Sequence, residues 1–164
     1  MPFILLIFFG IFASVCALIL EFFTLSIFSS FLFLETVFSL KTFLFFLVLA
    51  IIEEISKYIF LFQYKKRTSF EHISFFRLIS YSVFFGTGFS LVEYILSLPS
   101  LSFISPIPLA FFPTFLLHTS LTFCFIFFLS RFHSQGKTLT KTSFSVLFGT
   151  IIIHFLYNVF VFLH

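Results

Sequence analysis

The sequence predicts an all-α protein, a polytopic transmembrane helix bundle of about five spans. Of its 164 residues, 60% are hydrophobic and only 9% charged, against about a quarter charged in a soluble domain. Mean hydropathy is +1.22. The charged residues gather between apolar runs long enough to cross a bilayer, which takes about 20 residues of helix. Five runs qualify, at 3–25, 42–63, 77–97, 109–131 and 143–163. The connections are short, so a single integral membrane domain over 1–164 is expected, with no internal repeat and no soluble domain.

The first run reads as a retained helix rather than a secretory signal, because no Lys or Arg precedes it and it exceeds the usual apolar core of about 7–15 residues. The stretch 26–41, with Glu35 and Lys41, is polar enough for a loop, with 31–34 suited to the interface. Pro99, Pro106 and Pro108 mark an irregular, uncharged connection between the third and fourth runs, since proline removes a helix donor and restricts the residue before it. Lys65, Lys66, Arg67 and Arg77 flank the second connection, and Arg131, Lys137 and Lys141 the fourth. By the positive-inside rule both connections face the cytoplasm, which puts the N-terminus there and the C-terminus outside. The net charge of +3 therefore reflects topology, and a nucleic-acid partner is set aside. Thirty-five phenylalanines with no tryptophan and no aspartate point to a composition shaped by codon bias, so the Phe stripes are read as lipid-facing or packing residues. Cys16 and Cys124 lie in apolar runs and form neither a zinc pattern nor a disulfide framework.

The informative residues are the polar ones inside the spans: Glu53, Glu54 and Lys57 in the second, Glu93 in the third, His118 in the fourth, His154 and Asn158 in the fifth. An ionisable group at the bilayer centre costs about 2.5–3.5 kcal/mol on the insertion scale, so such groups face a polar interior and mark function by default. Glu53 and Lys57 share a helix face, as do His154 and Asn158, while Glu54 points about 100° away from Glu53. Bland readings stand beside these: an internally neutralised Glu–Lys pair, a Glu93 that snorkels to the interface, a His118 that only bonds a neighbouring helix. Glu21 reads as a solvated edge residue, and His72, His133 and His164 as loop or terminal residues in solvent. Gly86 and Gly88 would let a partner helix approach near Glu93.

Hydrolysis of a peptide bond in a membrane needs a base to activate water and donors for the oxyanion. Glu53 or Glu54 fits the base, with Glu53 favoured because it shares the face of Lys57; the other glutamate would then hold Lys57 or a neighbouring helix. His154 and Asn158, one turn apart, suit the oxyanion. Carboxylate and imidazole ligands from several helices equally suit a zinc ion that activates water; the choice between no cofactor and zinc stays open.

Glu53-Glu54-Ile55-Ser56-Lys57 matches an EExxK motif, and Phe89-Ser90-Leu91-Val92-Glu93 an FxxxE motif; His118 stands alone and His154-Phe155-Leu156-Tyr157-Asn158 matches HxxxN. In order and on consecutive helices, this set resembles the PrsW family of intramembrane proteases, related to the CAAX-processing and bacteriocin-processing enzymes. The resemblance covers 53–158, within a motif-bearing core at 42–163. Tyr94 departs from it, standing where the second motif commonly continues with Asn. The resemblance implies an intramembrane endopeptidase, glutamic-type or metal-dependent, in a bacterial cytoplasmic membrane. Glu53, Glu54, Glu93, His118, His154 and Asn158 would be its catalytic residues and Lys57 a support, with a membrane-anchored protein, of which anti-sigma factors are the known type, as substrate. Two other classes fit the same residues: a proton- or ion-coupled transport or channel component, against which the absence of repeat symmetry speaks, and a non-catalytic membrane scaffold.

Overall fold

The computed structural model describes residues 2–32, 40–67, 73–97, 107–132 and 140–163. They form five helices: α1 (Pro2–Leu32), α2 (Leu40–Arg67), α3 (Phe75–Ser97), α4 (Ile107–Phe132) and α5 (Thr140–Leu163). Each expected span falls inside one helix, and the all-α bundle stands. Four helices, all but α2, are long and apolar enough to cross a membrane. At 28 residues α2 has the length; Glu53, Glu54 and Lys57 lower its hydropathy, and the bundle buries all three. The chain is an integral membrane protein whose outer surface is apolar, with Phe8, Phe12, Phe22, Phe76, Phe144 and Phe160 among its exposed residues.

The helices are longer than the apolar runs. The loop expected from residue 26 is a correction: α1 continues to Leu32. Its polar side chains are absorbed by the helix itself, the hydroxyls of Thr24 and Ser26 donating to the carbonyls of Leu20 and Phe22, one turn back. A 31-residue helix spans about 46 Å at 1.5 Å per residue, more than the hydrocarbon layer of about 30 Å, so it tilts or projects beyond it. Ile107 and Pro108, expected in a connection or at its edge, begin α4; proline loses nothing in a first turn, where its missing N–H has no helix partner. Pro113 lies farther inside α4 and leaves the carbonyl of Leu109, four residues earlier, without its helix donor. Glu35, His72, Pro99, Pro106, His133, Lys137 and His164 lie outside the described residues.

Small residues bring α1 and α3 together. The two run parallel, Phe3 packing on Tyr81 and Phe84 near one end while Val15 to Phe23 face Val92 to Leu96 farther along. Between these points a Cβ on Gly10 would collide with the carbonyl oxygen of Phe85, and one on Gly88 with that of Ile7. Gly86 does the same for α3 and α4, where a Cβ would sit 2.9 Å from Thr119 Cα. Backbones this close gain van der Waals contact that lipid cannot replace. Gly88→Leu is expected to separate α1 from α3 and destabilise the bundle by about 1–3 kcal/mol or more. Denaturant titration in mixed micelles checks this; unchanged stability would remove the glycines from the packing account. Gly149 of α5 has open space around it and serves as the control position.

Lys65 of α2 donates to the carbonyl of Leu129, 2.7 Å away in the last turn of α4, and Arg67 lies over the ring of Phe9. With Arg77 opening α3 and Arg131 closing α4, the basic residues gather at one end of the bundle.

Candidate active site

Glu54 is the anchor of the polar interior. It is fully buried, as is Lys57, and the two form a close ion pair one turn apart. Lys57 also lies 4.5 Å over the ring of Phe89, so the ammonium has a carboxylate on one side and an aromatic face on another. The same Glu54 oxygen accepts from His154 Nδ1 at 2.7 Å. One carboxylate thus fixes a cation on its own helix and an imidazole on α5.

That contact sets the direction of His154. With Nδ1–H committed to Glu54, Nε2 carries the lone pair, and it lies 3.4 Å from Glu53 Oε2. A nitrogen lone pair and a carboxylate oxygen repel unless a proton, a water or a cation lies between them. On the other side, His118 Nε2 donates to Glu93 Oε2 at 2.7 Å, while its Nδ1 is buried without a hydrogen-bond partner among the described residues. The two imidazoles face each other edge to plane, 5.3 Å apart, and Phe89 packs 4.7 Å from His118. Phe89 therefore borders both the Lys57 ammonium and the His118 ring.

Glu53, Glu93, His118, His154 and Asn158 line a cavity of about 240 Å³, with Tyr94, Phe111, Thr114, Tyr157 and Val161 completing its wall. A water occupies about 30 Å³ of liquid, so several fit. Across the wall Thr114 and Tyr157 make a hydrogen bond of 3.3 Å between α4 and α5. Glu54 and Lys57 are absent from the lining. The two glutamates are thus divided by geometry, Glu53 toward the cavity and Glu54 behind it.

Lys57 pairs with Glu54, the glutamate expected to hold it once Glu53 is the base: residues three and four apart are both neighbours on a helix, and α5 presents His154 to the same Glu54. One expectation changes. Glu21 is no solvated edge residue. Its Oε1 is buried, without a hydrogen-bond partner among the described residues. A sequence signal for it exists: Gly10, Ala13, Ser14, Ala17 and Glu21 recur at helical spacing, and of these Ala13, Ser14 and Ala17 are buried, so Glu21 extends the inward stripe of α1.

One donor atom each from Glu53, His118 and His154 lies within 4.8 Å of the others. Two imidazoles and a carboxylate are a catalytic zinc set, and each imidazole already gives its other nitrogen to a carboxylate, the outer arrangement that orients metal-ligating histidines. The residues present fit the ion.

Fold and site together define an all-α membrane bundle enclosing a carboxylate–imidazole cluster to which α2, α3, α4 and α5 contribute. No protein-family model, curated protein or solved structure matches the chain.

Proposed function

We propose that the chain is an intramembrane endopeptidase that hydrolyses a peptide bond of a membrane-anchored protein. The observation that carries this reading is the meeting of Glu53 Oε2 with His154 Nε2 at 3.4 Å on a cavity with room for water. An imidazole nitrogen and a carboxyl oxygen facing each other hold a proton, a water or a cation between them, and a water or a cation held there prepares a nucleophile. The similarity of the four motifs to those of PrsW proteases supports the same reading.

In it, Glu53 takes the proton of the attacking water and returns it to the leaving amine. Asn158, on the cavity wall one turn from His154, donates to the developing oxyanion. Glu54 keeps His154 oriented and Glu93 keeps His118 oriented, so that neither ring has to reorganise during the reaction. A divalent ion held by Glu53, His118 and His154 would supply activation of water and polarisation of the carbonyl. The cavity is lined by the C-terminal halves of α3 and α5 and the N-terminal half of α4, away from the basic end. With the basic end cytoplasmic, the N-terminus is cytoplasmic and the substrate bond is reached from the outer half of the membrane.

Reconstitution in proteoliposomes with single-span reporter proteins tests the proposal. The wild-type chain is expected to cut a reporter within or beside its span, and Glu53→Gln and His154→Ala to abolish cutting. Cleavage that survives both substitutions would reject this site, and proton or ion flux dependent on the same residues, without proteolysis, would assign the chain to transport. For the metal, the purified chain is expected to retain about one equivalent of zinc, lost in His118→Ala and in His154→Ala. Active protein that carries no zinc and resists chelators would leave Glu53 alone to activate water.

A further inference from the structure

The closing motif names His154 and Asn158 and leaves the positions between them open, yet the cavity takes one of these as well. Tyr157 follows His154 by three residues on the same face of α5 and lines the cavity beside Asn158. On α4, Thr114 stands one turn before His118 and lines it too. The His118 and His154 rings meet at 5.3 Å, and one turn farther along both helices the hydroxyls of Thr114 and Tyr157 meet at 3.3 Å. A pair of hydroxyls thus follows the pair of imidazoles along the cavity. Two hydroxyls carry two hydrogens, and the bond between them uses one. The other has no acceptor among the described residues. At 3.3 Å the bond is also long, against about 2.7–2.8 Å for a usual hydroxyl pair. A hydroxyl bonded to an ionised oxygen comes closer and is held about twice as strongly, so this pair gains most when negative charge develops beside it.

We propose that Tyr157 is a second oxyanion donor of the site, its phenol donating to the substrate carbonyl oxygen while the Thr114 hydroxyl donates to the phenol and holds it in place. The inference rests on the hydrolytic reading and adds a catalytic residue to it. As water adds to the scissile carbonyl, the electron pair of the C=O π bond moves onto oxygen, and the hydrogen bond from Tyr157 strengthens with that charge. Tyr157 keeps its proton throughout, and the pair returns to the C=O bond when the amine leaves. Thr114 acts through Tyr157 and is a positioning residue. With Thr114 donating to Tyr157 and Tyr157 to the substrate, each bond polarises the next. An interaction stronger in the transition state than in the bound substrate raises kcat and leaves affinity for the substrate nearly unchanged.

The test measures turnover of the single-span reporter and binding of a peptide of its cut site in which a phosphonate, a tetrahedral anion, replaces the scissile carbonyl. Tyr157→Phe keeps the ring and removes the hydroxyl. It is expected to lower kcat by about 100-fold or more, as loss of one oxyanion donor does, with KM little changed, and to weaken the phosphonate by a similar factor. Thr114→Val is expected to lower kcat by about 2- to 10-fold, the worth of one neutral hydrogen bond, and to leave it unchanged in the Tyr157→Phe chain; Thr114→Ser keeps wild-type kcat. Wild-type kcat in Tyr157→Phe, or a loss that falls on reporter and phosphonate affinity alike, overturns the proposal and leaves the hydrolytic reading intact. If Tyr157→Phe does not fold, Thr114→Val carries the test, and wild-type kcat with wild-type phosphonate affinity there overturns the proposal. Equal losses from Thr114→Val with and without the Tyr157 hydroxyl would refute the role of Thr114. A wild-type chain that cuts no reporter refutes the hydrolytic reading, and the role assigned to Tyr157 falls with it.

Discussion

Glu53→Gln is expected to lower turnover of a membrane-anchored reporter by about 100- to 10,000-fold, the range that general acid–base groups contribute. The substitution keeps the size of the side chain and most of its contacts, so the bundle and its affinity for the reporter should survive. What it removes is the ability to accept a proton at the point where His154 Nε2 comes within 3.4 Å. Glu54→Gln acts differently. Glu54 lies behind the cavity and holds Lys57 and His154 together, so its loss disturbs orientation and stability before chemistry. The comparison is made on initial rates with the helical content and melting of each variant measured alongside. Comparable kcat for wild type and Glu53→Gln would exclude Glu53 as the base.

Lys57→Leu is expected to destabilise the bundle by about 3–5 kcal/mol, because it leaves a buried carboxylate without its cation. Lys57 and Glu54 are both fully buried, so water cannot take over. The ring of Phe89 would lose its cation at the same time. His154 still donates to Glu54, which keeps the carboxylate from being wholly unsatisfied. Combining Lys57→Leu with Glu54→Gln removes the charge along with its partner and should return a large part of the loss; a double-mutant cycle in mixed micelles measures it. If Lys57→Leu alone is as stable as wild type, the ion pair is not what holds α2 in place.

The spans were legible in the sequence because lipid imposes one rule on every residue of a helix that crosses it: backbone groups bond internally and side chains are apolar unless something polar receives them. That rule located all five helices and picked out Glu53, Glu54, Lys57, Glu93, His118 and His154. It misjudged the helix ends. Ser26 looked like the start of a loop, but its hydroxyl turns back onto the carbonyl of Phe22, a bond that composition does not record.

Pairing was the part that lay beyond the sequence. On α2 alone, Lys57 reaches Glu53 and Glu54 equally well, four residues from one and three from the other. Glu21 near the end of an apolar run is equally consistent with the interface and with the interior. Both ambiguities are local, and both are resolved by neighbours distant along the chain. His154 on α5 takes Glu54 as its partner, and α1, lying close on α3 at Gly10, buries an oxygen of Glu21. The sequence by itself determined an all-helical membrane protein with acids and imidazoles inside its spans, because solvent and periodicity act on each helix separately. The tertiary structure alone decided which acid of the Glu53–Glu54 pair faces the cavity, which one holds His154, and that Glu21 turns inward, because the direction of a side chain depends on what the adjoining helices present to it.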